Sequence, residues 1–194
     1  FITSIINFSN FVDGIDGLLS SCFAVLFIIA SVKIDLSILV IVSSIFGFII
    51  WNWHPSKIFM GDVGSTFIGA FYTVLIFNES NLKESILLLM PSIPILFDAF
   101  SAVVRRFFAK EDIFKAHSLH LFQRLYQAGW SHSKISKYYL IATLLVGLAS
   151  LFNSISWCII SIFMSLLYGY YLDQRVAISF YKSLLSSKNK DLSN

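Results

Sequence analysis

The sequence predicts an all-α protein that crosses a membrane several times. Hydrophobic residues make up 57% of the 194 residues and charged residues only 13%, about half of the charged share in an ordinary soluble domain. The apolar runs are continuous rather than alternating, which argues against strands. Because lipid offers backbone polar groups no partner, each run is expected to be helical. An unusually apolar soluble domain is the alternative class.

Six apolar segments are predicted to form the spans of a helical bundle. Several lie near or below the ~17 residues that fully cross a hydrocarbon core, so tilted or partly re-entrant segments are expected. The membrane domain is expected to cover residues 1–182, followed by a polar, unstructured cytoplasmic tail at 183–194. The sequence begins inside an apolar run, which suggests that it starts part-way through a longer protein. The predicted spans are residues 18–32, 36–51, 63–77, 85–104, 138–152 and 155–172.

Basic residues predict which connections face the cytoplasm. The short connections at 33–35, 78–84 and 153–154 carry Lys33 and Lys83. The other 12 of the 14 Lys and Arg residues lie at 52–62, at 105–137 or beyond 173. The positive-inside rule places this second set in the cytoplasm. Every polar cluster that could carry chemistry falls on that side.

The first cluster precedes the first span. Asn7, Asn10, Asp13 and Asp16 recur every three residues, a spacing that stacks side chains along one helix face. Two carboxylates at the mouth of a span repel each other unless a cation or a proton occupies the site. The alternative is a polar cap on a helix that enters the membrane. The spacing does not fit a calcium-binding EF-hand.

The second cluster lies between the second and third spans. Pro55 is expected to end the preceding helix, and Gly61 and Gly64 flank Asp62 just before the next span. A glycine-flanked loop at a helix N-terminus is a natural phosphate site. Asp62 is well suited to hold Mg²⁺ beside such phosphates. An ordinary turn with an Asp N-cap is the alternative.

The third cluster lies in the longest cytoplasmic connection. His117 and His120 are one helical turn apart, with Lys115 and Arg124 on either side. Neutral histidines could bind a metal ion, whereas protonated ones with Lys and Arg would bind a diphosphate. An amphipathic helix lying on the lipid headgroups is the alternative.

Five other polar or reactive positions carry weaker signals. Asp98 lies within the fourth predicted span, where a carboxylate indicates either function or pairing with a neighbouring helix. His54 and His132 are single histidines to which the sequence assigns no role. Cys22 and Cys158 are expected to be buried, and their spacing fits neither a zinc site nor a disulfide framework.

In order and spacing, the three clusters resemble the polyprenyl-phosphate N-acetylhexosamine-1-phosphate transferases of glycosyltransferase family 4. The motifs are Asn-x-x-Asn-x-x-Asp-Gly-x-Asp-Gly-Leu, then Asn-x-x-Pro-x-x-x-Phe-Met-Gly-Asp-x-Gly-Ser, then a histidine-containing loop. The resemblance covers essentially the whole chain, and the first two motifs are the specific ones. It implies a Mg²⁺-dependent enzyme, with Mn²⁺ as the alternative ion, that passes a sugar-1-phosphate from a UDP-N-acetylhexosamine to polyprenyl phosphate and releases UMP.

The same resemblance implies a role for each motif residue. Asp62 would be the principal Mg²⁺ ligand, with Asp13 as a second ligand. Asp13 and Asp16 would shape the nucleotide-diphosphate site, with Asp16 near the uridine. The remaining implied contacts are hydrogen bonds to the nucleoside or phosphate from Asn10 and Asn52, stacking on uracil by Phe59, and contact with the diphosphate or sugar by His117 and His120.

Two departures from the family pattern bear on activity and branch. The family's upstream Asp-Asp pair, thought to meet the lipid phosphate, is absent from this sequence. The spacing His117-x-x-His120, followed by Gln123, resembles the branch that initiates surface polysaccharides such as O-antigen and lipopolysaccharide. The peptidoglycan branch, the phospho-MurNAc-pentapeptide translocases, has adjacent histidines instead. The implied setting is the bacterial inner membrane, with undecaprenyl phosphate as acceptor, a homodimer as a possible assembly and no nucleic-acid partner.

Two other functions are the alternatives. A transporter or channel would line an ion path with Asp13, Asp16, Asp62 and Asp98, and it predicts carboxylates deep in the spans and repeated halves. The acidic residues instead cluster at one face, and no internal repeat is evident. An inactive relative acting as a scaffold is the other alternative, although both Asp residues of the first motif are intact.

Overall fold

The chain is a bundle of α-helices in a computed structural model that describes residues 2–111 and 119–192, with side chains described up to residue 186. None of these residues forms a β-strand, which confirms the predicted all-α class. Within the described ranges the helices are α1 Ile2–Val12, α2 Leu18–Lys33, α3 Leu39–Asn52, α4 Gly61–Asn78, α5 Leu82–Leu89, α6 Ile93–Phe108, α7 Leu121–Gln127, α8 His132–Leu151, α9 Ile155–Arg175 and α10 Phe180–Leu192.

Helices occupy all six predicted spans. The fourth span is divided, since a short 3₁₀ turn at Met90–Ser92 separates α5 from α6 around two prolines that lack a backbone N–H. Among the described residues, three stretches are long and apolar enough to cross a membrane: Leu82–Phe108, His132–Leu151 and Ile155–Arg175. Three further helices are apolar but shorter, at Ile2–Val12, Leu18–Lys33 and Leu36–Asn52.

The centre of the bundle is α2, which is buried on nearly all sides. It packs against α3 and α8, while α1 packs along α4. The α1–α4 contact is close because α4 has a glycine where a side chain would clash. A Cβ added at Gly69 would lie 2.9 Å from Cβ of Ser9 on α1. Small residues of this kind let helix backbones approach inside a membrane bundle.

The connections gather at two ends of the bundle, as the charge pattern predicts. At one end Lys33 binds Glu84 at 2.8 Å and the Asn153 side-chain oxygen at 2.7 Å, which joins the three short connections. At the other end Asp16 contacts His54 and His132, which joins three of the polar segments. We call this second end the polar end. Its cytoplasmic location remains a prediction.

The C-terminal segment differs from the sequence prediction. The tail at 183–194 was expected to be unstructured, but its backbone continues α10 to Leu192. Composition misses the contacts that anchor the first turn of α10. Arg105 lies 5.9 Å over the Phe180 ring, and Ser183 Oγ donates to Gln127 Oε1 at 3.0 Å. The prediction for the cysteines is confirmed, since Cys22 and Cys158 are both free and buried.

Candidate active site

The first cluster is not one continuous helix. α1 ends at Val12 and α2 begins at Leu18, so Asn7 and Asn10 lie on α1 while Asp13 and Asp16 lie in the turn that follows. The prediction that all four stack on one helix face is therefore wrong. Gly17, immediately before α2, adopts a left-handed backbone conformation with φ 72°, which a continuous helix does not contain.

Asn10 joins the first cluster to the second. Its side-chain nitrogen donates to Asp62 Oδ1 at 2.9 Å and lies 3.0 Å from Ser65 Oγ. Asp62 lies in the first turn of α4, where the unpaired N–H groups and the helix dipole favour negative charge. The structure thus brings together two polar residues that the sequence placed in separate motifs.

Asp13 lies close enough to this pair for the charge on Asp62 to affect its ionisation. The pKa of Asp13 is raised to about 6, chiefly by burial; a backbone hydrogen bond from Gly61 lowers it, and the neighbouring Asp62 carboxylate adds a smaller upward effect. A raised pKa between two nearby carboxylates is typical of a site that holds a proton or a cation. Carboxylate and amide oxygens are ligands that Mg²⁺ accepts.

Asp16 faces a different set of partners. Its Oδ2 lies 2.8 Å from Nδ1 of His54, 3.2 Å from Nδ1 of His132 and 3.3 Å from the backbone nitrogen of Ser56. Although partial burial raises the pKa of Asp16, these hydrogen bonds more than offset that effect and hold it below its usual value. His54 and His132, to which the sequence assigns no role, therefore share Asp16 as a partner. The only sequence feature that could have linked the two histidines is that both lie in connections assigned to the same side of the membrane.

Asn52 holds the backbone and does not face the site. Its side-chain oxygen accepts from the Gly17 backbone N–H at 3.2 Å and from Ser20 Oγ at 2.6 Å, and its nitrogen donates to the Ile58 carbonyl at 3.0 Å. The residue is 5% exposed. The prediction that Asn52 binds the nucleoside or phosphate is therefore corrected, because its polar atoms are already engaged inside the protein.

Phe59 lies in the connection that Asn52 and Asp16 hold, and its ring is 73% exposed. This exposure leaves the ring available for the predicted stacking on a base. The connection itself is fixed from both sides, since the Lys57 and Ile58 backbone nitrogens donate to the Trp51 carbonyl at 2.7 and 3.2 Å. Phe59 therefore belongs to an anchored loop. In the sequence it lies between His54, which contacts Asp16, and Asp62.

The structure describes His120 and Arg124 of the histidine cluster. His117 and Lys115 lie outside the described residues. His120 is buried at the start of α7, where its ring stacks on Phe122 with centroids 5.1 Å apart. Burial lowers the pKa of His120, which favours a neutral ring over the cation that would bind a diphosphate. A direct electrostatic contact between His120 and a diphosphate does not fit this placement.

Asp98 and Arg124 both have structural partners. The two Asp98 oxygens accept from the Leu121 and Phe122 backbone nitrogens at 2.8 and 3.3 Å, and Tyr139 donates to Oδ2 at 2.7 Å. Asp98 thus caps α7, which confirms the pairing alternative. Arg124 is 3% exposed and forms an ion pair with Asp173, so its guanidinium is engaged inside the protein and does not favour the diphosphate-binding alternative for this cluster.

The polar end therefore presents two neighbouring acidic centres with different surroundings. Asn10, Asp13 and Asp62 form a carboxylate-rich centre at the N-terminus of α4 that suits a cation and phosphates. Asp16, His54 and His132 form a second centre held by hydrogen bonds. Such an arrangement suits a ligand with phosphates, whose negative charge a bound cation would neutralise, and a separate polar group that forms hydrogen bonds.

Comparison with known proteins identifies relatives of this chain. Residues 1–79 match the sequence profile described as "Glycosyl transferase family 4". The chain is 37% identical over 145 residues, 68% of its length, to the probable undecaprenyl-phosphate N-acetylglucosaminyl 1-phosphate transferase of Bacillus subtilis, of which it covers 40%. It is 32% identical over 68% of its length to the decaprenyl-phosphate N-acetylglucosaminephosphotransferase of Mycobacterium leprae, covering 41% of that protein.

A phospho-N-acetylmuramoyl-pentapeptide-transferase of Dictyoglomus thermophilum is also similar. It is 32% identical over 72% of this chain, which covers 47% of that relative. The chain thus spans less than half the length of each of these three relatives.

Proposed function

This chain belongs to glycosyl transferase family 4, the polyprenyl-phosphate hexosamine-1-phosphate transferases, and from that premise we propose that it carries the donor-binding part of such an enzyme. The proposed donor is UDP-N-acetylglucosamine and the proposed acceptor is undecaprenyl phosphate. An acceptor phosphate oxygen bonds to the β-phosphorus of the donor. The bond from that phosphorus to the bridging oxygen breaks, and UMP leaves.

The observation that carries this proposal is the contact between Asn10 and Asp62, beside an Asp13 whose pKa is raised by burial and by the Asp62 charge. A site with two carboxylates suits Mg²⁺. Asp62 and Asp13 would hold the ion, which supplies charge neutralisation for the diphosphate. The N-terminus of α4 adds backbone N–H groups beside Asp62 that favour phosphate oxygens.

The chain's own residues would bind and orient the two anions. Asp16 is proposed to meet the donor nucleoside, and the exposed Phe59 ring would stack on its base. Reactions of this kind need little covalent work from the protein, so positioning and charge neutralisation are the main contributions. Direct displacement, with no covalent enzyme intermediate, is the proposed course.

The choice of donor and pathway is supported by the histidine spacing and by the named relatives. A relative with 37% identity is described as an N-acetylglucosaminyl 1-phosphate transferase. The spacing His117-x-x-His120 resembles that of the surface-polysaccharide branch. We therefore propose initiation of a cell-envelope polysaccharide at the cytoplasmic face of the bacterial inner membrane.

The transporter alternative is less well supported. It needs Asp98 to line an ion path, whereas both Asp98 oxygens accept hydrogen bonds from the start of α7 and from Tyr139. A carboxylate with these three donors acts as a helix cap.

The test is transfer of radiolabelled N-acetylglucosamine-1-phosphate from UDP-N-acetylglucosamine to undecaprenyl phosphate by membranes containing the full-length protein. Lipid labelling is expected to require Mg²⁺ and to be lost in Asp62→Asn. The matched control is Asp35→Asn, because Asp35 lies near the opposite end and Asn can also accept the hydrogen bond from the Ser37 backbone nitrogen. Absence of labelling by the wild type across a panel of UDP-sugars, without Mg²⁺-dependent UDP-sugar binding, would overturn the proposal.

A further inference from the structure

The Asp16 centre contains two histidines that the proposed reaction does not yet use. His54 comes from the connection after α3 and His132 from the first turn of α8, and both direct Nδ1 at the same Asp16 oxygen. Their ring centroids are 5.1 Å apart. Two imidazoles from distant parts of the sequence thus contact one aspartate at the polar end.

The backbone of Asp16 is held as well as its side chain. On α8, Ser136 Oγ donates to the Asp16 carbonyl at 2.7 Å, and one helical turn earlier Nδ1 of His132 lies 3.3 Å from the Asp16 backbone nitrogen. Tyr126 packs edge-on against the His132 ring, with centroids 4.6 Å apart. The side-chain oxygen Oδ2 accepts from the Ser56 backbone N–H at 3.3 Å in addition to its hydrogen bond with His54.

This anchoring has a consequence for the other oxygen of the same carboxylate. Because the backbone and Oδ2 are both held, the direction of Oδ1 is fixed before any ligand binds. Preorganised acceptors of this kind gain affinity because binding does not have to order them. The Asp16 side chain is 11% exposed and those of His54 and His132 are 39% and 20% exposed, so the centre remains open to the polar end.

We infer that His54 and His132 are positioning residues that hold the Asp16 carboxylate for the donor nucleoside. The inference rests on the proposed function, in which Asp16 meets that nucleoside. It assigns the two histidines to donor affinity, whereas Asp62 and its neighbours serve the diphosphate.

A divalent transition metal is the competing occupant, because two histidines and a carboxylate are a common ligand set. The three candidate ligand atoms lie within 4.8 Å of one another. The contacts favour hydrogen bonding, since Nδ1 of His54 lies 2.8 Å from Oδ2 of Asp16 and Nδ1 of His132 accepts the Asp16 backbone N–H at 3.3 Å. These two bonds to Asp16 account for the arrangement without an ion.

The experiment compares His54→Ala, His54→Asn and Asp16→Asn in the full-length protein, with UMP binding and the KM for UDP-N-acetylglucosamine as readouts. His54→Ala is expected to weaken UMP binding and raise KM about tenfold, the size of one lost charge-assisted hydrogen bond, with kcat nearly unchanged. His54→Asn should recover most of that loss, because its amide nitrogen can occupy the place of Nδ1. His132→Ala should act in the same direction.

A double-mutant comparison tests whether His54 acts through Asp16. In the Asp16→Asn background, removing His54 is expected to change KM and UMP affinity by less than about twofold. Equal fold losses in both backgrounds would overturn the inference, and so would a lowered melting temperature with unchanged UMP affinity. Inhibition by Zn²⁺ that disappears in His54→Ala would assign the centre to a metal instead.

The two proposals fail in distinguishable ways. If the wild type transfers no sugar phosphate from any donor, the proposed reaction fails, and UMP binding still reports on the histidines. If the wild type transfers normally and the histidine variants keep its KM and UMP affinity, only the positioning role fails. A wild type that binds neither UMP nor UDP-sugars would overturn both.

Discussion

The side-chain nitrogen of Asn10 lies 2.9 Å from Oδ1 of Asp62, although 52 residues separate the two in sequence. The bond joins the last turn of α1 to the first turn of α4, and Ser65 on α4 is a second partner of the same nitrogen at 3.0 Å. It thereby fixes the position of the carboxylate that we propose as the principal Mg²⁺ ligand. The metal site therefore depends on the packing of α1 against α4 as much as on Asp62 itself.

Asn10→Ala should raise the Mg²⁺ concentration that gives half-maximal transfer by about tenfold, the size of one hydrogen bond to a charged group. The physical reason is that Asp62 loses the donor that orients it. Asn7→Ala on the exposed surface of the same helix is the control and should leave the Mg²⁺ requirement unchanged. The same Mg²⁺ requirement in Asn10→Ala and in the wild type would contradict a positioning role for Asn10.

Asn52→Ala should destabilise the protein by about 2 kcal/mol or more, because it leaves buried partners without the Asn52 amide. Those partners are the Gly17 backbone N–H, the Ser20 hydroxyl and the Ile58 carbonyl. The measurement is the thermal unfolding of purified protein in detergent. Asn78→Ala, at the exposed end of α4, is the matched control. An equal melting temperature for both variants would show that the Asn52 bonds contribute little to stability.

Gly17→Ala should lower stability, whereas Gly47→Ala should not. At Gly17 the backbone has φ +72° and an added Cβ would lie 2.7 Å from Cε3 of Trp53, so both the backbone and the packing oppose a side chain. At Gly47, within α3, an added Cβ meets nothing within 4 Å, and Ala is favoured over Gly by about 1 kcal/mol in a helix. Opposite shifts in melting temperature are therefore expected. A Gly17→Ala protein as stable as the wild type would contradict the clash with Trp53.

Asp13 should make stability fall as the pH rises from acid to neutral. Its pKa is about 6 in the folded protein against an ordinary 3.8, so the folded state binds the proton more tightly than the unfolded state. The stability gained from that proton is present below the unfolded pKa and is lost as the pH rises through about 6. Asp13→Asn should therefore be more stable than the wild type at about pH 7.5 and gain less at about pH 5.

Mg²⁺ provides a second test of the same carboxyl group. A cation at Asp13 and Asp62 favours the ionised form, so Mg²⁺ should stabilise the wild type more at about pH 7.5 than at about pH 5. Asp13→Asn should show a smaller stabilisation and a weaker dependence on pH. Equal stabilisation of both proteins at both pH values would exclude Asp13 from the cation site.

Asp98→Asn should reduce both stability and transfer, although Asp98 is not proposed to touch substrate. An amide can accept from only one side, so the variant cannot replace all three contacts to Leu121, Phe122 and Tyr139. Tyr139→Phe removes one of these bonds and should cost about 1 kcal/mol. Melting temperature and transfer are measured together. Loss of transfer with unchanged stability would instead indicate a direct role for Asp98.

The sequence alone was sufficient for the helical class, the six apolar helices and the family. Continuous apolar runs permit only helices in lipid, and this constraint is local enough to be visible in the sequence. The grouping of connections at two ends was also predictable, because basic residues concentrate in the connections on one side of a membrane. The three-residue spacing of Asn7, Asn10, Asp13 and Asp16 predicts a continuous helix, whereas the structure ends α1 at Val12. The turn at Asp13–Gly17 depends on a left-handed glycine that packs against Trp53.

Only the tertiary structure decided which polar residues work together. His54 and His132 lie 38 and 116 positions from Asp16, in different connections, and no local pattern relates them. Asn52 has the residue type of a ligand-binding side chain, but packing buries it and engages both ends of its amide. Hydrogen bonds act over about 3 Å in space, whatever the separation along the chain. The partners of each polar group are therefore set by how the helices pack.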